Sequence, residues 1–155
     1  MSQVYLSLGS NMGHREAILL QAIAQIEEQI GTVLSQSALY DTEPWGFQSP
    51  HRFLNAALCC QTTLTPLQVL DATQHIERQL GRLHKSHDGH YQDRPIDIDI
   101  LLYDDLILHT PRLIVPHPLM HLRTFVLEPL CQIAPQLVHP QLGLTMQQLL
   151  QQQLG

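Results

Sequence analysis

The stretch RPIDIDILLYDD, residues 94–105, carries the strongest signal for how the chain folds. Isoleucine occupies every second position from 96 to 100, which is the period of a β-strand with one buried face. The same alternation places Asp97 and Asp99 together on the opposite face, about 6.6 Å apart. Their mutual repulsion is about 2.5 kcal/mol at an effective dielectric constant near 20. Some feature of that face must therefore compensate for the repulsion between the two carboxylates.

Outside this strand, the hydrophobic pattern predicts a regular succession of elements. Three further strands are expected, over residues 3–9, 32–42 and 52–64. Four helices are expected, over residues 14–31, 65–81, 122–135 and 145–153. Thr65 and Pro66 suit the N-cap and first position of the second helix, and Gly31 and Gly81 are expected to stop the first two. Loops are expected over 43–51 and 82–93, which are rich in Pro, Gly or polar residues.

The order β-α-β-β-α-β predicts an α+β fold with a ferredoxin-like core. In that fold a mostly antiparallel sheet has helices packed on it, and the two last helices would be additions at the C-terminus. The alternative is an unrelated two-layer α+β domain. A length of 155 residues suits a single domain, residues 1–155, with a substantial core.

Composition and charge narrow the classes of function. The formal net charge of −6 argues against a general nucleic-acid binder. Five of the eight Lys and Arg residues nevertheless fall between Arg82 and Arg123, the segment that also contains the acidic pair. A locally basic region around two carboxylates indicates an anionic ligand that is bound together with a metal ion.

Cysteine content and the N-terminal sequence point to a reduced compartment. Three cysteines form no disulfide framework, and the adjacent Cys59 and Cys60 would face opposite sides of a strand. The N-terminus has no basic segment followed by a long apolar one, and no window is long enough to span a membrane. The expectation is a cytoplasmic protein, and no long apolar segment demands a partner, which favours a monomer.

The acidic pair has two interpretations. Asp97 and Asp99 could be solvated residues on the open face of a sheet. Alternatively they bind Mg²⁺, which prefers oxygen ligands and often takes one or two carboxylates with water and substrate phosphates. Asp104 and Asp105 are expected in the following turn, at the surface.

Arginines and histidines flank the acidic strand. Arg82 and Arg94 bracket the loop over residues 82–93, where guanidinium groups would suit phosphate oxygens, although surface ion pairs are the alternative. Solvated loop histidines are favoured over a zinc site for His84, His87 and His90. His117 lies between two prolines, which fix its backbone and aim its ring. The alternative is a buried, hydrogen-bonded histidine without a role in binding.

Asn55 stands among apolar residues on the predicted third strand. A buried amide must be hydrogen-bonded, and it can both donate and accept, which suits a flat heterocycle. Phe53 shares its strand face and could stack on such a ring. The alternative is an asparagine bonded to neighbouring backbone.

Together these segments resemble the hydroxymethyldihydropterin pyrophosphokinase family of folate biosynthesis, over nearly the whole chain. The resemblance rests on YLSLGSNMG (5–13), ALYDTEPWGFQSPHRFLNAAL (38–58), TQHIERQLGR (73–82), RPIDIDILLYDD (94–105) and LIVPHPLMHLRTFVLEPL (113–130). RPIDIDIL joined to VPHPLMHLRTFVL is the specific part, whereas the Gly-Ser-Asn turn alone is a weak signal. The family fold is ferredoxin-like, in agreement with the predicted element order.

The resemblance implies a role for each matching residue. Asp97 and Asp99 would hold two Mg²⁺ ions on ATP, and Arg82 and Arg94 would be catalytic, stabilising the pyrophosphoryl group in flight. The nucleotide site would include Gln74, Glu77, Ile100, Arg112, His117 and Arg123. The pterin site would include Thr42, Pro44, Trp45, Phe53, Asn55 and Phe125, with the two phenylalanines on either side of the ring.

The implied reaction is transfer of pyrophosphate from ATP to the hydroxymethyl oxygen of 6-hydroxymethyl-7,8-dihydropterin, which releases AMP. The alternative is a ferredoxin-like protein that binds pterin or nucleotide without catalysis, but such a protein has no need for the two aspartates and two arginines together. The chain departs from the family in its loop. DGHYQDR (88–94) lacks the Gly-Pro or Ala-Pro that many relatives carry before the arginine, and His84 stands where some have a second arginine.

Overall fold

The fold is taken from a computed structural model, which describes residues 1–43, 51–81 and 95–155. The strands are β1 (Ser2–Ser10), β2 (Gly31–Gln36), β3 (Tyr40–Thr42), β4 (Phe53–Thr62), β5 (Asp97–Tyr103), β6 (Leu108–His109) and β7 (Ile114–Val115). The helices are α1 (Arg15–Gln29), α2 (Pro66–Gln79), α3 (Thr124–Ile133) and α4 (Met146–Leu154), with a 3-10 turn at Met120–Leu122.

The main sheet has the order β2-β4-β1-β5, and β3 extends it by pairing with β4 beyond the end of β2. All of these pairings are antiparallel. β1 and β4, the two central strands, lie side by side although the first helix and two strands separate them in sequence. This order confirms the ferredoxin-like α+β prediction, and β6 and β7 form a separate two-stranded ribbon.

Two hydrophobic clusters cover the two faces of the sheet. On one face, α1 and α2 pack on alternate residues of β1, β4 and β5, among them Leu6, Leu58 and Ile98. On the other face, α3 and α4 pack around Ala57 and Leu101. Burying such side chains contributes about 1.5–3 kcal/mol each, so the two clusters fix the sheet between two helical layers.

The second helix begins as predicted. Thr65 is the N-cap of α2 and accepts a hydrogen bond from the Gln68 backbone N–H, and the Gln68 side chain accepts from the Thr65 N–H. Pro66 occupies the start of the helix, where its missing N–H costs nothing. The same capping box recurs at Thr145 and Gln148 at the start of α4.

Two details differ from the prediction. Gly31 follows the end of α1, as predicted, but it is already the first residue of β2, and a Cβ at this position would lie 2.0 Å from the Gln61 carbonyl oxygen. Glycine is therefore required here by the close approach of β4. The strand predicted over 32–42 is interrupted at residues 37–39, because the Ser37 hydroxyl bonds to backbone groups and replaces the regular strand ladder.

Candidate active site

The candidate site lies along β5, the strand at the edge of the main sheet, and includes the part of the second sheet face beside Asp97 and Asp99. Asp97 and Asp99 on β5 alternate with buried isoleucines, so both carboxylates point to this face, as predicted. Asp97 is paired with Gly9 of β1, and Asp99 is paired with Ser7. Small residues on the neighbouring strand leave space above the two carboxylates.

A cleft of about 470 Å³ lies next to the acidic pair. Most residues predicted for the nucleotide site line it together with the two aspartates: Glu77, Ile100, Arg112, His117 and Arg123. The structure thus brings together residues from α2, β5, the ribbon and the segment before α3. Gln74, which was predicted with them, is half-buried on α2 and is not among the lining residues.

Some residues that line the cleft were not predicted from the sequence. Leu70 and Thr73 line it from α2, seven and four residues before Glu77, which places all three on one side of the helix. That spacing was a usable signal once Glu77 had been singled out. Leu113 and Leu119 also line the cleft, and they flank the predicted Arg112 and His117 in sequence.

Glu77 has a structural contact that the sequence did not indicate. Its carboxylate accepts a hydrogen bond from the backbone N–H of Ile98 at 2.8 Å, and the residue is buried. Ile98 lies between the two aspartates on an edge strand, where this N–H has no strand partner. Glu77 therefore holds the acidic strand in place from the α2 side.

Arg123 brings positive charge to the buried edge of the cleft. It is 5% exposed, at the N-cap position of α3, and its guanidinium carbon lies 5.6 Å from the centre of the Phe125 ring. Arg112 is more exposed and forms an ion pair with Asp71. Two guanidinium groups on one cleft make it suitable for an anionic ligand.

His117 is held neutral. Its Nδ1 accepts the backbone N–H of Leu119 at 3.1 Å, so the ring proton of the neutral form is on Nε2. Burial, followed by the charge of Arg123, lowers the pKa of His117 to about 4, while Asp97 acts in the opposite direction. A neutral imidazole can donate one hydrogen bond from Nε2 without adding charge.

A second group of predicted residues lies on β3 and β4. Asn55 is 2% exposed, and its amide nitrogen donates a hydrogen bond to the Thr42 hydroxyl. A Cβ on Gly9 would lie 2.9 Å from the Asn55 side-chain oxygen and 3.5 Å from the Phe53 ring. Asn55 and Phe53 therefore share a face, as predicted, and both lie against Gly9 of β1.

Some predicted residues lie outside the described ranges. These are Pro44, Trp45, Arg82 and Arg94, together with the loop histidines His84, His87 and His90. Phe125 lies at the start of α3 and packs at the margin of the cluster that contains Ala57, a β4 neighbour of Asn55. Of the predicted pterin residues, the structure thus places Thr42, Phe53, Asn55 and Phe125.

The donor set near the cleft suits an oxygen-seeking metal. Within the described ranges, no three His, Cys, Asp or Glu side chains converge as a ready-made metal cage. Asp97 and Asp99 instead offer two same-face carboxylates beside a cleft open to an anion. This arrangement fits Mg²⁺, whose remaining ligands are commonly waters and phosphate oxygens.

Two imidazoles predict how stability depends on pH. Burial, and then the charge of His121, lowers the pKa of His139, whose Nδ1 accepts the N–H groups of Gln141 and Leu142. His117 is lowered as well. Because the unfolded histidines titrate near 6.5, the unfolded state binds more protons below that pH. The free energy of unfolding should be highest above about pH 6.5 and should fall as the pH decreases towards 4.

Urea unfolding at about pH 7.5 and 5 measures this dependence. His139→Gln should reduce the difference between the free energies of unfolding at the two pH values. His109→Gln, at an exposed position, should leave this difference unchanged. A variant without His139 that keeps the full pH dependence would show that this ring does not contribute.

No helix in the described ranges combines the length and the apolar content that crossing a bilayer requires.

Comparison with known protein families and curated proteins gives consistent matches. The family model described as 7,8-dihydro-6-hydroxymethylpterin-pyrophosphokinase matches residues 5–135. The chain is 50% identical over 142 residues to the 2-amino-4-hydroxy-6-hydroxymethyldihydropteridine pyrophosphokinase of Porphyromonas gingivalis, covering 91% of this chain and 96% of the relative. It is 40% identical over 140 residues to the protein of the same name from Aquifex aeolicus, covering 90% and 85%.

Solved structures share the fold. A crystal structure of HPPK-DHPS in complex with substrates superimposes with a TM-score of 0.78 at 15% sequence identity. Wild-type HPPK-DHPS from Plasmodium falciparum also gives a TM-score of 0.78, at 16% identity. Both matches cover 97% of this chain, which spans 43% and 44% of the two solved chains.

Proposed function

Because the chain belongs to the 7,8-dihydro-6-hydroxymethylpterin-pyrophosphokinase family, we propose which of its residues carry out that family's reaction. The reaction is a step of folate biosynthesis, in which pyrophosphate passes from ATP to the hydroxymethyl group of hydroxymethyldihydropterin and AMP is released. The observation that carries the proposal is the convergence of two same-face carboxylates, two arginines and a neutral histidine on one cleft.

Asp97 and Asp99 are the proposed ligands of two Mg²⁺ ions. When bound, the ions would neutralise charge on the phosphate oxygens of ATP and on the carboxylates themselves. The two aspartates lie on a strand held by β1 on one side and by Glu77 on the other, so their positions are set before any ligand binds. Preorganised charge of this kind costs little rearrangement during the reaction.

ATP is proposed to occupy the 470 Å³ cleft. Arg112 and Arg123 would attract the triphosphate, and the Nε2 proton of His117 would donate a hydrogen bond to it. A neutral histidine would make this bond without adding positive charge beside the proposed Mg²⁺ ions. Arg82 and Arg94 are proposed, from the family resemblance, to stabilise the transferred group, and Gln74 is proposed to contribute from α2.

The pterin is proposed to bind at Asn55. The Asn55 amide is oriented by Thr42, so its oxygen is free to take ring N–H groups of the heterocycle. Phe53 and Phe125 would stack on its two faces, with Pro44 and Trp45 completing the site. The hydroxymethyl oxygen would then attack the β-phosphorus of ATP, and positioning would supply most of the rate.

The enzyme is further proposed to be a cytoplasmic monomer. The exposed large apolar residues of the described ranges are distributed over several elements, including Leu20 on α1, Leu34 on β2 and Leu67 on α2. Light scattering during gel filtration would give the mass, and a mass of two chains would contradict the monomer.

Phosphorus NMR of the reaction products tests the proposed chemistry. Purified protein would be mixed with ATP, Mg²⁺ and hydroxymethyldihydropterin, and the expected result is AMP formed in step with a pterin diphosphate. ADP would indicate single phosphoryl transfer, and absence of turnover would indicate a protein that binds without catalysis. Replacing Mg²⁺ with excess chelator should abolish the reaction, and undiminished turnover would contradict the metal assignment.

A further inference from the structure

One side chain of α3 fastens that helix to the segment that leads into β3. The Oε1 atom of Gln132 accepts the backbone N–H of Ala38 at 2.8 Å and the Tyr40 hydroxyl at 2.9 Å. Both partners are donors, so the amide oxygen rather than the NH₂ group must face them. A single acceptor atom therefore joins the helix to two points on a segment three residues long.

The same segment is fixed on its other side to β4. The Ser37 backbone N–H donates to the Ala57 carbonyl at 2.9 Å, and the Ser37 hydroxyl accepts the Ala57 N–H at 2.9 Å. Ser37 is buried. Residues 37–40 are thus held between the sheet and α3, at the point where the strand predicted over 32–42 is interrupted.

This segment leads directly into the residues proposed to bind pterin. Tyr40 is paired with Asn55, and Thr42 is paired with Phe53. Asn55 also donates its amide hydrogen to Thr42. A displacement of Tyr40 would therefore reach the asparagine through the strand pairing and through Thr42.

Gln132 is exposed and lies on the same helix as Phe125. Phe125 precedes it by seven residues, which is two helical turns, so both project from the same side of α3 about 10 Å apart. α3 has ten residues and packs by one face on β4. Pro129 lies between the two residues and has no N–H to donate to the Phe125 carbonyl, so the Gln132 bonds act directly on the C-terminal half of α3. Through the packing of α3 on β4, they limit where the Phe125 ring can lie relative to β3 and β4.

We infer that Gln132 is a positioning residue for the pterin site, which sets the gap between Phe125 on α3 and the Phe53–Asn55–Thr42 group on the sheet. Neither Gln132 nor its two partners line the cleft beside the aspartates. The effect of Gln132 should therefore be selective for pterin over nucleotide. This inference rests on the proposed pterin site.

Steady-state kinetics with each substrate varied in turn test the inference. Gln132→Leu removes the acceptor and should raise the KM for hydroxymethyldihydropterin about tenfold. The KM for ATP should stay within about twofold of the wild-type value. Gln132→Glu keeps an acceptor oxygen and should restore the pterin KM, and Tyr40→Phe, which loses one of the two bonds, should give an intermediate value.

The matched control is Gln136→Leu. Gln136 is an exposed glutamine just beyond α3 whose amide donates to Gln147 of α4, away from the β3 segment. Its substitution should leave both KM values unchanged. Three results would each overturn the inference: a pterin KM in Gln132→Leu equal to that of the control, equal rises in both KM values, or a Gln132→Glu variant as impaired as Gln132→Leu.

Activity of the wild-type protein distinguishes a failure of this inference from a failure of the proposed function. If wild type forms no AMP and no pterin diphosphate, the proposed function fails and the inference fails with it. If wild type turns over and Gln132→Leu behaves as the control does, only the positioning role is wrong.

Discussion

Replacing either aspartate of the acidic pair with asparagine is expected to reduce pyrophosphoryl transfer by at least about 10³-fold. Asp97→Asn and Asp99→Asn keep the size of the side chain and remove the charge that would hold Mg²⁺ on ATP. Both residues are half-buried on a strand whose isoleucines carry the core packing, so we expect the fold to survive the loss of either charge. The thermal midpoint should stay within about 4 °C of wild type.

AMP formation measured over a range of Mg²⁺ concentrations checks this expectation. Asp105→Asn is the matched control, because Asp105 follows the same strand but is exposed in the turn. It should have wild-type activity. In wild type, ATP with Mg²⁺ should raise the thermal midpoint, and in both aspartate variants that rise should be lost or much reduced.

Two outcomes would argue against the metal assignment. Near-normal activity in either aspartate variant would show that its carboxylate is not a ligand. Loss of activity together with a large fall in the thermal midpoint would instead indicate a structural role for the pair.

Asn55→Leu is expected to raise the KM for hydroxymethyldihydropterin about 10- to 100-fold. Leucine has a similar size but neither donates nor accepts, so the polar edge of the heterocycle would be buried without partners. Thr42 loses its bond from the amide, but it is half-buried and water can replace that donor. The KM for ATP should change little, because Asn55 does not line the cleft beside the aspartates.

Kinetics with each substrate varied, supported by thermal unfolding, measure this effect. Gln61→Leu is the matched control, because Gln61 lies on the same strand and the same face, six residues or about 20 Å along β4. It should leave both KM values near wild type. If Asn55→Leu changes neither KM, the pterin does not bind at Asn55.

Much of the fold could be predicted from the sequence because its signals are local. The alternating isoleucines of residues 96–100 identified β5, and Thr65 with Pro66 identified the start of α2. The strand break at residues 37–39 could not be predicted, because the Ser37 hydroxyl finds its partner on β4, twenty residues away. The reason that residue 31 must be glycine could not be predicted either, since the Gln61 carbonyl that excludes a side chain there is distant in sequence.

For the candidate site, the sequence supplied residue types and the tertiary structure supplied their contacts. The residues lining the cleft come from four separate segments, and only the tertiary packing of these segments brings them together. The Glu77 bond to Ile98 and the Gln132 bonds to Ala38 and Tyr40 had no sequence signal, because each joins groups that are many residues apart in the chain. The positions assigned to the metal, nucleotide and pterin remain proposals tested by the variants above.

The sequence by itself determined that two carboxylates lie on one face of a strand, since a period of two residues is a property of any strand. It also determined the order of elements and hence the ferredoxin-like core. Only the tertiary structure decided that α3 and α4 leave that face open beside the aspartates, and that burial beside Arg123 keeps His117 neutral. Those outcomes depend on which elements pack together and on the solvent they exclude, and no local pattern encodes either.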